Sequence, residues 1–185
     1  MKGPTLTKKQ RALQKEVTAL LQWLRLTMDL TGVDATLRTD YLTWAKRELI
    51  TTAVLRQYLL IDEHLNNEMC REFFPRRTFA ELWRTKRFRD FNNYILDRLS
   101  LLPKLEFVRA RIHLPGRFYK DIVALNALRN AVAHSFFPEN RRVKPKWKGV
   151  DIFSFAGVGQ FLNDTSDVSD FFFARLFRQQ RHRWR

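Results

Sequence analysis

The amino-acid sequence predicts an all-α protein: a compact bundle of about four to five main helices, with a basic loop and a C-terminal helix. Three observations point there. Apolar residues recur at three- and four-residue spacing through most of the chain, while the strict alternation of a half-buried strand is nearly absent. Glycine and proline are scarce, six of each, and fall where helices would end. Hydrophobic residues make up 45% of the 185, which is enough to build a core and excludes a chain disordered throughout.

The elements follow in order. From about Thr5 to Leu30, Leu13, Val17, Leu20, Leu21, Leu24 and Met28 form an amphipathic stripe, and "TGVD" closes the helix with Gly32 near its C′ position. A second helical stretch runs from about Leu37 to Phe74, with Tyr41, Trp44, Leu49, Val54, Leu55, Tyr58, Leu59 and Leu65 facing inward. It is either one helix or two with a break at Thr51 and Thr52, and Pro75 ends it. Thr78 with Glu81 three residues on has the pattern of a capping box. A third main helix, roughly Lys86 to Arg111, carries Phe88, Phe91, Ile95 and Leu99 on one side, and Pro103 should kink or divide it. "HLPG" is a turn, and a fourth helix runs from about Arg117 to Phe136. "FPENRRVKPKWKG" cannot continue that helix and leads to a short extended piece at Val150 to Phe153. Ser154 then caps a last helix, with Phe155, Val158, Phe161, Leu162, Val168, Phe172 and Leu176 at helical spacing. No linker separates these parts, so a single domain is expected: an N-terminal helix over 1–34, a helical core over 35–136, a basic loop over 137–153, and a C-terminal helix with a basic tail over 154–185.

The charge balance speaks of partners. Lys and Arg number 34 against 19 Asp and Glu, a formal +15, which favours polyanions such as nucleic acid or an anionic membrane surface. The single cysteine, Cys70, excludes an internal disulfide framework and reads as a reduced, intracellular residue. The basic start lacks the apolar run of a secretory signal, and the longest apolar runs fall far short of the roughly 20 residues that a membrane span needs. A soluble cytoplasmic protein without a membrane span is the expectation.

One stretch stands out, "LNALRNAVAHSFFPENRR" at 125–142. On a helix advancing about 100° per residue, Ile122, Leu125, Leu128, Val132 and Phe136 gather on a core face, while Asn126, Asn130 and His134 form a polar row at four-residue spacing beside it. Arg129 falls between stripe and row, an awkward place for a cation because an unpaired buried guanidinium costs several kcal/mol. It must meet a carboxylate, with Asp62 or Glu63 as candidates, or the polar row, or a bound anion. Asn130 is placed to orient the imidazole of His134, and Arg141, Arg142, Lys144, Lys146 and Lys148 follow at once as further positive charge.

"RNAVAH", Arg129 and Asn130 followed by three small residues and His134, resembles the R-x4-6-H signature of HEPN domains, and the resemblance covers roughly residues 35–136. It implies a compact helical bundle with the motif late in it, and an acidic residue on an earlier long helix, matched here by Asp62. It also implies a metal-independent endoribonuclease acting as a homodimer on RNA, with no cofactor. In that reading His134 is general base on a ribose 2′-OH, Arg129 stabilises the transition-state charge, Asn130 holds histidine or phosphate, and Asp62 and Asn126 support them. A toxin or phage-defence role, with a cognate inhibitor or antitoxin protein, is what the family suggests. The family also holds members that do no chemistry and bind nucleic acid or a partner protein as regulators, so a silent module is the alternative.

Other features take plainer readings. Cations cluster at Arg76, Arg77, Arg84, Lys86, Arg87 and Arg89, in the loop after the motif, and in the tail at Arg175, Arg178, Arg181, Arg183 and Arg185. The loop is the first choice for phosphate contacts, and the aromatics Phe79, Trp83 and Phe88 are expected in the core. The tail packs through Phe172 and Leu176, or alternatively lies on an anionic membrane surface. His64, His113 and His182 lack acidic or Cys partners at metal-ligand spacing, so no metal site is expected. Ser135, expected on the core side of its helix, has no visible base to make it a nucleophile.

Overall fold

The computed structural model describes residues 7–24, 37–75, 79–133 and 143–183. The class is all-α: the described residues are about 80% helical, with seven α-helices and one two-stranded hairpin among them. Two compact units emerge, Met1–Arg56 with Leu128–Leu162, and Gln57–Ala127 with Asn163–Arg185.

In the first unit, α1 (Lys8–Leu24) opens on a reciprocal cap. Gln10 N–H donates to Thr7 Oγ1 at 3.2 Å and Thr7 N–H to Gln10 Oε1 at 3.0 Å, so two of the helix's unmet donors are satisfied. Val17 and Leu20 are fully buried, and Leu42, Ala45, Leu49, Ile50, Ala53 and Val54 of the first half of α2 (Arg38–Phe73) are buried with them in the unit's core. Lys46 pairs with Glu16, and Gln10 Nε2 donates to Thr39 Oγ1, tying the two helices at their polar edge. The region where Gly32 was expected to end the first helix lies outside the described residues.

The long second stretch is one 36-residue helix with no break at Thr51 and Thr52. Threonine costs a helix only tenths of a kcal/mol, and the full burial of Ala53 and Val54 next to that pair outweighs it. Two expected inward residues are in fact outward: Trp44 is 44% exposed and Leu59 66%. Each stands two residues from a buried one, Leu42 and Ile61, and residues two apart lie across a helix from each other.

The second unit contains α3 (Phe79–Trp83), α4 (Lys86–Phe91), a π turn (Asn92–Leu96) and α5 (Leu101–Arg109). The expected single helix over 86–111 is therefore divided, but upstream of Pro103. Pro103 sits in the first turn of α5, whose N-cap is Ser100. There its missing N–H has no intrahelical partner to lose, and Leu99, whose carbonyl the ring would strike, is already outside the helix. Thr85 starts α4 by accepting the N–H of Phe88 at 3.3 Å. The π turn, closed by Asp97 N–H to the Asn92 carbonyl at 2.9 Å, adds a residue to the helical repeat. That shift moves burial from the expected Ile95, 41% exposed, to Leu96, 3% exposed. The Thr78 cap lies outside the described residues.

After the Pro115 carbonyl accepts the N–H groups of Phe118 and Tyr119, α6 runs Gly116–Ala133. Beyond it the expected extended piece is the second arm of a hairpin: β1 (Lys146–Trp147) pairs antiparallel with β2 (Val150–Asp151). Its turn residues Lys148 and Gly149 have φ of 47° and 89°, the left-handed pair of a type I′ turn. The last helix, α7 (Phe155–Arg183), is capped as expected by Ser154, whose Oγ accepts Gly157 N–H at 3.0 Å. A Cβ on Gly157 would lie 2.0 Å from the Asp151 carbonyl oxygen, so only glycine lets the hairpin meet the helix here. Val158, Phe161, Val168 and Phe172 are buried as read from the spacing, but Phe155, at the first turn, is 39% exposed.

Candidate functional site

The stripe read along residues 122–136 is present on α6. Ile122, Leu125, Leu128 and Val132 are all at most 3% exposed, which fixes the helix's rotation about its axis. That rotation leaves Asn126 and Arg129 half-buried and Asn130 exposed, with Asn126 and Asn130 one turn apart. Arg129 Nη1 donates to Asn130 Oδ1 at 3.0 Å, so the cation is joined to the neighbouring amide of the polar row. Such a contact holds the guanidinium beside the amide of the next residue. His134 follows Ala133 in sequence and lies outside the described residues, as do Ser135, Phe136, Arg141 and Arg142.

Asp62 has a clear structural task within the second unit. Both its oxygens lie 2.9 Å from Lys104 Nζ, and Asn66 Nδ2 adds a donor at 3.4 Å. The Lys104 side chain is only 4% exposed, so this carboxylate neutralises a buried ammonium. Glu63 is exposed and makes no ion pair among the described residues.

The described lysines of the basic loop stand on the hairpin. Lys144, Lys146 and Lys148 are exposed. Lys144 Nζ lies 3.6 Å from Asp151 Oδ2, and Lys148 Nζ lies 5.7 Å from the Trp147 ring centre. Trp147 itself is fully buried, edge-to-face with Phe161 at 5.1 Å, and anchors the hairpin to α7. The signal for this scaffold was in the string "WKGV", where a turn glycine separates two residues suited to a strand.

Elsewhere the structure revises the sequence reading. Phe88 is buried as expected, but Trp83 is 52% exposed. His64, passed over as a lone histidine, is buried between Phe172, stacked at 5.5 Å, and Phe173, edge-on at 4.7 Å. Burial, aided by the nearby Arg71 charge, holds its pKa below the ordinary histidine value. Burial likewise pushes the Cys70 thiol up to about 11, which keeps it protonated and unreactive. Among the described residues no group of three or more His, Cys, Asp or Glu is arranged to hold a metal, and no helix is long and apolar enough to cross a membrane.

The fold and these surfaces define a class: a strongly basic all-α protein with an arginine–asparagine pair on α6 and exposed cations on a hairpin and on α4. Comparison with protein-family models, with curated proteins and with solved structures finds no match for the chain.

Proposed function

We propose that the chain is a metal-independent endoribonuclease of HEPN type, acting on RNA as a homodimer in the cytoplasm. The observation that carries this reading is the Arg129–Asn130 contact on a helix whose next residue in sequence after its described end is His134. A guanidinium, an amide and an imidazole within six residues can stabilise phosphorane charge, position a neighbour and move a proton, which suits phosphodiester transesterification. The formal +15 charge and the exposed Lys144, Lys146 and Lys148 on the hairpin beyond the motif agree with a polyanionic substrate.

In this mechanism His134 takes the proton of a ribose 2′-OH, whose oxygen attacks the adjacent phosphorus. Arg129 stabilises the charge on the equatorial oxygens of the pentacoordinate transition state, and Asn130 holds the guanidinium in place. The 5′-oxygen leaves with the P–O bond's electron pair and takes a proton from water or from the protonated imidazole, giving a 2′,3′-cyclic phosphate and a 5′-hydroxyl end. DNA lacks the attacking hydroxyl and survives. Two subunits each contribute an Arg129 and a His134 to one cleft. A toxin or defence role, held in check by a cognate inhibitor protein, is consistent with a nuclease of this kind.

The test is end analysis of labelled RNA incubated with purified protein in EDTA. Cleavage to cyclic-phosphate ends is expected, reduced about 10²- to 10⁴-fold in His134→Ala and also lost in Arg129→Ala. RNA binding without cleavage, unchanged in His134→Ala, would establish the other reading instead, a silent module that binds nucleic acid or a partner.

A further inference from the structure

A cleft of about 580 Å³ opens in the second unit, between the second half of α2, the π turn and α7, with Trp83 at its lining. Its chemistry is uneven in an informative way. Phe88 and Leu96 contribute buried apolar surface, and Trp83 contributes a half-exposed indole held edge-to-face by Phe88 at 5.0 Å. The polar lining includes three amides, Asn66, Asn67 and Asn92, together with the exposed carboxylate of Glu63, and contains no Lys or Arg. Asn92 Nδ2 donates to Asp97 Oδ2 at 3.0 Å, but other polar groups here are unmet. His64 Nε2 and Asn66 Oδ1 are buried without a hydrogen-bond partner, and Asn67 makes no side-chain hydrogen bond among the described residues. Buried polar atoms without partners cost about 1–3 kcal/mol each, so the two here make this wall a costly one, and the half-buried Asn67 amide is left to meet a ligand.

Outside the cleft the charge is opposite in character. Arg84, Lys86, Arg87 and Arg89 follow Trp83 closely in sequence, and all are exposed. None of the four forms an ion pair among the described residues. Arg89 Nη1 donates to the Trp83 carbonyl at 3.5 Å, which draws one cation back beside the indole.

An amide-lined cleft that carries one carboxylate, Glu63, and an aromatic followed in sequence by exposed cations, of which Arg87 lies over the Phe74 ring, suits a ligand with a planar polar heterocycle and a phosphate. We infer that this cleft binds a nucleobase of single-stranded RNA, stacked on Trp83 and read at its edge by the Asn67 amide and the Oδ1 of Asn92, with the adjoining phosphates on Arg84 and Arg87. Amides offer both donor and acceptor to a base edge, and stacking tolerates any base. This is a recognition site in the unit that does not carry Arg129, and it stands whether or not that residue takes part in cleavage.

The test uses a fluorescein-labelled 2′-O-methyl RNA octamer, which has no attacking hydroxyl and therefore reports binding alone, read by anisotropy. With the wild-type protein, an octamer of abasic residues is expected to bind about tenfold more weakly than the full octamer. Trp83→Ala is expected to weaken the full octamer by about the same factor and to leave the abasic one unchanged, while Trp83→Phe restores most of the loss. The double variant Arg84→Gln/Arg87→Gln weakens both probes and flattens their salt dependence. Competition by free nucleoside monophosphates identifies a site that also accepts the single nucleotide, and competition by strands alone identifies one that needs the flanking phosphates; both support a base in the cleft. Equal binding of full and abasic octamers, or a normally melting Trp83→Ala that binds the full octamer like wild type, overturns the proposal. If Trp83→Ala fails to melt cooperatively, the abasic comparison on the unaltered protein decides.

Discussion

Two tryptophans stand inside cation-rich strings of this chain, Trp147 in "KPKWKG" and Trp83 in "ELWRTK", and the fold treats them oppositely. Trp147 is 0% exposed, packed on Phe161, and its flanking lysines project from a hairpin that the indole pins down. Trp83 is 52% exposed, braced by Phe88 on one edge only, with unpaired cations after it. One string uses its aromatic as an anchor so that a short hairpin can hold its shape, since two residues per strand cannot do so alone. The other presents its aromatic at a cleft. The lesson is that cations interleaved with an aromatic describe a composition, and only the neighbours of the ring tell whether it supports a surface or forms part of one.

The sharpest way to break that contrast is Trp147→Ala. Removing a fully buried indole should cost about 3–5 kcal/mol, measured as a shift in the denaturant midpoint of unfolding. A cost below 1 kcal/mol would show that the ring is not an anchor. Nearly as large is the effect expected for Asp62→Ala, because it strands the buried Lys104 ammonium: about 3 kcal/mol by the same measurement. Asp62→Ala/Lys104→Met should regain most of that loss, since the double variant buries no charge. A double variant as unstable as the single one would mean that Asp62 does more than neutralise Lys104.

A smaller effect comes from His64, at the cleft that Trp83 lines. Its pKa is depressed in the folded state, so below the ordinary histidine value the unfolded chain binds more protons than the folded one. The stability that the neutral imidazole contributes is present above about pH 6.5 and is lost as pH falls below it. Melting temperature should therefore drop between pH 7.5 and 5.5, and His64→Phe should drop less over the same interval. Identical pH profiles would remove His64 from the account. Smallest of all is Trp83→Ala, expected to lower stability by about 1 kcal/mol or less because the ring is half in water and mainly touches one neighbour. If it cost as much as Trp147→Ala, the two strings would not differ as described.

Much of the fold could be read in the residues because local rules and tertiary packing agree there. The face of α6 is the clearest case: Ile122, Leu125, Leu128 and Val132 were expected together and all are buried, which also sets where Asn126, Arg129 and Asn130 stand. Ser154 was legible as a cap because capping depends on one side chain and the next three residues. The reading weakened where a register or a distant partner mattered. Ile95 lost its place to Leu96 through a π turn, whose extra residue has no periodic signature. The pairing of Asp62 with Lys104 joins residues 42 apart in sequence, so no window along the chain contains both.

What the sequence determined by itself is the helical class, the apolar stripe of α6 and the placing of Asn126, Arg129 and Asn130 beside it, because hydrophobic period and helix geometry act over a few residues. What the tertiary structure decided is which polar and aromatic side chains lost their contact with water. Burial depends on surfaces contributed from remote parts of the chain. For that reason Trp83 and Trp147, so alike in their strings, ended one at a cleft and the other in a core.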